Sequence, residues 1–122
     1  MEIFLVEDSA MVRKRISDML AAVPGTHVAG HASSADTAIR EILAVKPDLV
    51  VLDLKLAEGS GFDVLRAVHE RAPGIDFYML SNFSSEPYRR LARQLGALDF
   101  FDKSSEFERV RDIVARRAAL QP

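Results

Sequence analysis

Short apolar runs alternate with longer amphipathic segments along the whole chain. The runs are Ile3–Val6, a weaker one around Val28–Ala29, Leu49–Leu52, Phe77–Leu80 and Leu98–Phe101. They have strand length and favour branched and aromatic side chains, which fit a pleated surface. Leu49-Val50-Val51-Leu52 shows no polar alternation, the pattern of a strand buried on both faces of a parallel sheet. Between the runs, apolar residues recur at helical spacing. Val12, Ile16, Met19, Leu20 and Val23 form one stripe, stopped by Pro24-Gly25, and Ala35, Ala38, Ile39, Ile42 and Leu43 form a second before Pro47-Asp48. Val64, Leu65 and Val68 follow Gly61 and end at Pro73-Gly74. A fourth helix is expected to open at Ser85-Glu86-Pro87, to carry Leu91 and Leu95, and to close at Gly96. A fifth is expected to open on the capping-box pattern Ser105-Glu106-Phe107-Glu108 and to bury Phe107, Val110 and Val114. Five strands alternating with five helices predict an α/β fold, a parallel sheet covered on both faces.

Composition narrows the picture. At 122 residues, 48% hydrophobic and 28% charged, the chain has the balance of one ordinary globular domain. A net charge of −2 supplies no field to draw nucleic acid or an anionic membrane. With no cysteine there is no disulfide, thiolate metal site or cysteine nucleophile. No apolar run approaches a membrane span. The opening Met1-Glu2-Ile3-Phe4-Leu5-Val6-Glu7-Asp8 lacks a basic leader, so no signal peptide is expected, and the expected compartment is the cytoplasm.

In an open α/β sheet, ligands bind outside the carboxyl ends of the strands. The residues there are Glu7 and Asp8 after the first run, Asp53 after the third, Ser81 after the fourth and Lys103 just past the fifth. Three converging carboxylates cannot all stay ionised without counter-charge, and one lysine is too little. Clustered hard oxygens suit Mg²⁺ or Mn²⁺. With such a cation, an aspartate can meet a phosphoryl group and act as a covalent nucleophile, with Lys103 neutralising charge on the transferred oxygens. Singly, each residue reads as a helix cap or a turn former; turn chemistry does not account for their joint placement at four strand ends.

The chain resembles the receiver domain of two-component response regulators. The resemblance runs through Phe4-Leu5-Val6-Glu7-Asp8, Pro47-Asp48-Leu49-Val50-Val51-Leu52-Asp53-Leu54, Gly61-Phe62-Asp63-Val64-Leu65, Met79-Leu80-Ser81, Leu95-Gly96-Ala97 and Phe100-Phe101-Asp102-Lys103. It covers essentially all of residues 1–122 and implies a doubly wound, flavodoxin-like sheet of order 2-1-3-4-5. It implies phosphorylation of Asp53 by a sensor histidine kinase or phosphotransfer protein. Mg²⁺ would be held directly by Asp8, Asp53 and the Lys55 carbonyl, and by Glu7 mostly through water. Lys103 would contact the phosphoryl oxygen, Ser81 would bond it after transfer, and Phe100, at the switch-aromatic position, would rotate inward. An output domain, a downstream protein or a second copy would read the switch, with no direct nucleic-acid or membrane binding. Glu7 replaces the more frequent Asp, and Ala57 a frequent Pro. Asn82 is bulkier than the usual small residue, and Ser104 replaces the usual Pro after Lys103, so a trans Lys103–Ser104 peptide is expected. Lys55 and Phe83 are expected to flank the phosphoryl site and to shield it from water, Lys55 pairing with a phosphoryl oxygen or with Glu7.

Three other functions fit these residues less well. A phosphatase of the haloacid-dehalogenase type needs a second Asp two residues after the nucleophile, where this chain has Lys55. A flavodoxin-like nucleotide binder needs a first loop rich in hydroxyls and glycine, where this chain has Glu7-Asp8-Ser9-Ala10. A pseudo-receiver, an interaction module that accepts no phosphate, is disfavoured by intact Asp8, Asp53, Ser81 and Lys103. His27 and His31 could share a strand face but lack a third ligand. Arg89, Arg90, Arg93, Arg109, Arg111, Arg116 and Arg117, interleaved with acids, read as a solvated face. Ending at Gln121-Pro122, the chain is expected to be a stand-alone regulator or the receiver of a longer one.

Overall fold

The computed structural model describes residues 1–121. In chain order the elements are β1 (Glu2–Val6), α1 (Ala10–Ala21), β2 (His27–Ala32), α2 (Ala35–Val45), β3 (Leu49–Leu52), α3 (Gly61–Arg71), β4 (Asp76–Ser81), α4 (Glu86–Gln94), β5 (Asp99–Asp102) and α5 (Arg109–Ala119). All pairings are parallel, and the sheet order is β2-β1-β3-β4-β5, as the sequence resemblance implied.

Strand periodicity divides the core in two. Phe4, Val6, Val50, Leu52, Phe77, Met79 and Phe100 point to one face, where they meet Ile42, Leu65, Val68 and Ala92 of α2, α3 and α4. The intervening Ile3, Leu5, Leu49, Val51, Tyr78, Leu80 and Phe101 meet Ile16, Leu20, Val110 and Val114 of α1 and α5 on the other. Each fully buried aliphatic or aromatic side chain contributes about 1.5–3 kcal/mol. This burial holds the central strands rigid and fixes where their carboxyl ends lie.

The edge strand β2 is longer than its weak apolar signal, and a register shift opposite Ile3 and Phe4 breaks its alternation. Gly30 lies against the Phe4 ring, where a β-carbon would come within 2.9 Å of Cε2. Side chains cap the first and third helices. Ser9 Oγ accepts from Val12 N at 3.2 Å at the start of α1, and Ser60 and Asp63 cap α3 reciprocally. Pro87 lies in the first turn of α4, and Gly96, beyond its end, takes a φ of +112° against the His69 ring.

The fifth helix is a correction. It begins at Arg109, and no capping box forms at Ser105. Ser105 N donates instead to Asp102 Oδ1 at 3.0 Å, and the Glu106 carboxylate accepts from Asp102 N at 3.0 Å. The groups that would start a helix are used to close a turn around Asp102, while Phe107 still reaches the core. The Lys103–Ser104 peptide is trans. No helix among the described residues is long and apolar enough to cross a membrane.

Candidate functional site

Parallel strands carry every β-to-α loop to one edge of the sheet, and the polar residues of those loops meet there. Asp53 is aligned by its own loop, since Leu54 N donates to Oδ1 at 2.7 Å while Lys103 Nζ donates to Oδ2 at 2.7 Å. The same ammonium reaches Glu7 Oε1 at 2.6 Å, and Ser9 N donates to Glu7 Oε2 at 2.9 Å. Arg13, one turn into α1, holds the Glu7 carbonyl at 3.0 Å. Carboxylate oxygens of Glu7, Asp8 and Asp53 lie within 4.8 Å of one another, the one such acidic or histidine cluster among the described residues. Glu7 and Asp53 are buried, with side chains 4% and 8% exposed, and Asp8 faces solvent.

Burial pushes the Glu7 carboxyl above its ordinary range, although the Lys103 ammonium and the Ser9 N–H pull it down. Burial acts against the Lys103 charge, but its hydrogen bonds to Asp53 and Glu7 outweigh that and raise its pKa. With all three carboxylates ionised, one lysine leaves two negative charges. The donors are all oxygen, and the residual charge is that of one divalent cation's complement, so the residues present fit Mg²⁺ or Mn²⁺.

Glu7, Asp8, Asp53, Lys55, Asn82, Phe83 and Lys103 line one pocket of about 250 Å³. Ser81, the last residue of β4, is fully buried, its Oγ accepting from Phe83 N at 3.1 Å. Phe100 is already turned inward, 2% exposed, with the Arg89 guanidinium 5.2 Å from its ring centroid. The Lys55 ammonium stands 5.9 Å from the Phe83 ring centroid, and the Glu7 carboxylate is taken by Lys103 instead. A mainly apolar groove of about 420 Å³, lined in part by Phe62, Phe83 and Tyr88, adjoins the pocket. His27 pairs with Glu2 at 2.7 Å and joins no metal-ligating cluster.

The basic last third is only partly the solvated face expected of it. Arg93 pairs with Glu86 in the open, but Arg117 is held by Asp76 and the Tyr78 hydroxyl. Arg89 is three-quarters buried and donates to Ser84 O at 2.6 Å, Phe100 O at 2.9 Å and Glu106 Oε1 at 3.2 Å. Sequence reasoning missed the convergence of Ser84, Arg89, Asp102 and Glu106 beside the site. The one local signal was an aspartate followed by Ser104, Ser105 and Glu106, a pattern that favours a side-chain-closed turn.

The fold and the acidic cluster define a receiver. The family model for the response regulator receiver domain matches residues 3–115, and the chain belongs to that family. It is 38% identical over 104 residues to protein-glutamate methylesterase/protein-glutamine glutaminase 3 of Geobacter sulfurreducens, covering 85% of this chain and 28% of that protein. It is 32% identical over 123 residues to the DNA-binding transcriptional activator DevR/DosR of Mycobacterium tuberculosis, covering 98% of this chain and 57% of that protein. The chain thus spans between a quarter and three-fifths of these relatives. The response regulator domain of Thermotoga maritima CheB shares the fold at a TM-score of 0.86 and 23% identity, over 100% of this chain and 98% of that one.

Proposed function

We propose that residues 1–122 form a receiver that acts as a phosphorylation switch, with Asp53 as the phosphoacceptor. The observation that carries the reading is Lys103 bridging Glu7 and Asp53 while the cluster stays two charges short of neutral. Asp8, Asp53, the Lys55 carbonyl and Glu7 would hold Mg²⁺, which when bound supplies the positive charge that lets a phosphoryl dianion approach an aspartate. An Asp53 carboxylate oxygen attacks the phosphorus of a phosphohistidine on a kinase or phosphotransfer protein. The new O–P bond forms as the N–P bond breaks, and the imidazole keeps the electron pair and takes a proton from solvent. Lys103 offers its ammonium to the transferred oxygens, and the Ser81 hydroxyl leaves Phe83 N to bond the phosphoryl group. Hydrolysis returns the carboxylate: water attacks phosphorus, the O–P bond breaks, and phosphate and a proton depart.

The domain catalyses only its own phosphorylation and dephosphorylation. The new dianion reorders the Ser81 loop, and a cytoplasmic partner, output domain or second copy reads the change. The test is incubation with Mg²⁺ and acetyl phosphate followed by intact mass. One added phosphoryl group, lost with EDTA and in Asp53→Asn, supports the reading; an unmodified wild type, or an equally modified Asp53→Asn, overturns it.

A further inference from the structure

Lys103 has to lie over two carboxylates that belong to other strands, so something must fix the loop that carries it. Its backbone is tied at one point by the end of the sheet, where Ser81 pairs with Asp102 and Lys103 N donates to Ser81 O at 3.0 Å. Beyond that point the chain folds round the Asp102 carboxylate. Oδ1 accepts from Ser104 N at 2.9 Å, Ser104 Oγ at 2.7 Å and Ser105 N at 3.0 Å, and Oδ2 accepts from the Ser84 hydroxyl. Glu106 closes the turn in both directions: its N–H donates to Asp102 O at 2.8 Å, and its carboxylate accepts from Asp102 N.

Arg89 joins this turn to two other segments. Its guanidinium donates to Glu106 in the turn, to Ser84 O in the loop after Ser81, and to Phe100 O in β5. Ser84 therefore touches both Asp102 and Arg89, three residues after the hydroxyl that the phosphoryl group would draw. The hydrogen bonds to Asp102 hold its carboxyl far below the ordinary aspartate range, as expected for an anion with four donors.

We propose that the Asp102 turn, locked by Glu106 and by Arg89, is the device that holds Lys103 over Asp53, and that Asp102 and Arg89 are positioning residues for phosphoryl transfer. The proposal rests on the phosphoacceptor reading given above.

The experiment is a double-mutant cycle on phosphorylation by acetyl phosphate in saturating Mg²⁺, following the maximal rate and the half-saturating concentration. Asp102→Ala and Arg89→Ala are each expected to lower the maximal rate about tenfold, the scale of a catalytic group misplaced by less than an ångström, and to leave half-saturation within about twofold. Added to Lys103→Ala, Asp102→Ala should cost nothing more, because it acts through the lysine. Losses that multiply in the double variant, or single variants as fast as wild type, overturn the inference. If Asp102→Ala does not fold, Ser84→Ala and Arg89→Lys enter the same cycle, with smaller losses that must again vanish in the Lys103→Ala background. A wild type that takes up no phosphate overturns the phosphoacceptor reading itself; a phosphorylated wild type with a full-rate Asp102→Ala overturns the positioning role alone.

Discussion

Lys103→Met removes the ammonium while keeping most of the side chain's bulk. It leaves Glu7, Asp8 and Asp53 facing one another with no counter-charge. Removing one partner of a buried ion pair costs about 3–5 kcal/mol. Two carboxylates at the 4.8 Å limit of this cluster would repel by about 3.5 kcal/mol at an effective dielectric constant of about 20, which gives the same scale. Proton uptake by Glu7 relieves part of this, so a loss of about 3 kcal/mol is expected at neutral pH in EDTA. With a urea slope of about 1.5 kcal/mol per molar, the unfolding midpoint falls by about 2 M. The chain has no tryptophan, so far-UV circular dichroism is the assay.

Acid and metal should both reverse the loss. The folded Glu7 carboxyl lies above its ordinary 4.5. Between 4.5 and that raised value the folded chain binds more protons than the unfolded one, so stability declines as pH rises through the window. The window is wider in Lys103→Met, because the lost ammonium no longer holds the Glu7 carboxyl down, so the cost of the substitution shrinks as pH falls through it. Excess Mg²⁺ at about 100 times its dissociation constant should raise the variant about 2.7 kcal/mol above its own stability in EDTA. A variant within about 0.5 kcal/mol of wild type in EDTA would refute the charge argument, because surface changes of no consequence stay in that range. So would a loss indifferent to both acid and Mg²⁺.

Gly61→Ala would drive a β-carbon into the backbone of Asp53 and Leu54, so a stability loss of about 1–3 kcal/mol and slower acetyl phosphate uptake are expected from urea melts and intact mass. Asp8→Ala should weaken Mg²⁺ binding measured by calorimetry while the circular dichroism spectrum stays that of wild type. Lys55→Asn and Phe83→Ala should each speed phosphate loss from the Mg²⁺-loaded phosphorylated protein, because the two side chains flank the mouth of the pocket. Unchanged loss in both removes the shielding argument and leaves the acceptor assignment standing.

Much of this was legible because the residues lie where the chain changes direction. Glu7, Asp8, Asp53, Ser81 and Lys103 each follow an apolar run, and parallel topology brings every such position to one edge. Leu49–Leu52 read cleanly as a central strand because burial on both faces leaves no room for polar alternation. Local pattern failed where tertiary partners took over local groups. Ser105 and Glu106 spell a helix start, but Asp102 claims the Ser105 N–H and the Glu106 carboxylate, and α5 waits until Arg109. Arg89 looks like one charge of a solvated helix, and only the fold reveals that Ser84, Phe100 and Glu106 surround its guanidinium. For Phe100 the resemblance implied a rotation inward, whereas its ring is already buried against the α4 side of the sheet.

If Asp53 is the phosphoacceptor, the acyl phosphate forms on its carboxylate and nowhere else. Borohydride reduction converts a phosphoaspartate to homoserine, so tandem mass spectrometry of the reduced, digested protein reads the site directly. After treatment with acetyl phosphate and Mg²⁺, homoserine is predicted at position 53 alone, absent with EDTA and in Asp53→Asn. Homoserine at another position, or none in a protein that has retained phosphate, would contradict Asp53 as the acceptor.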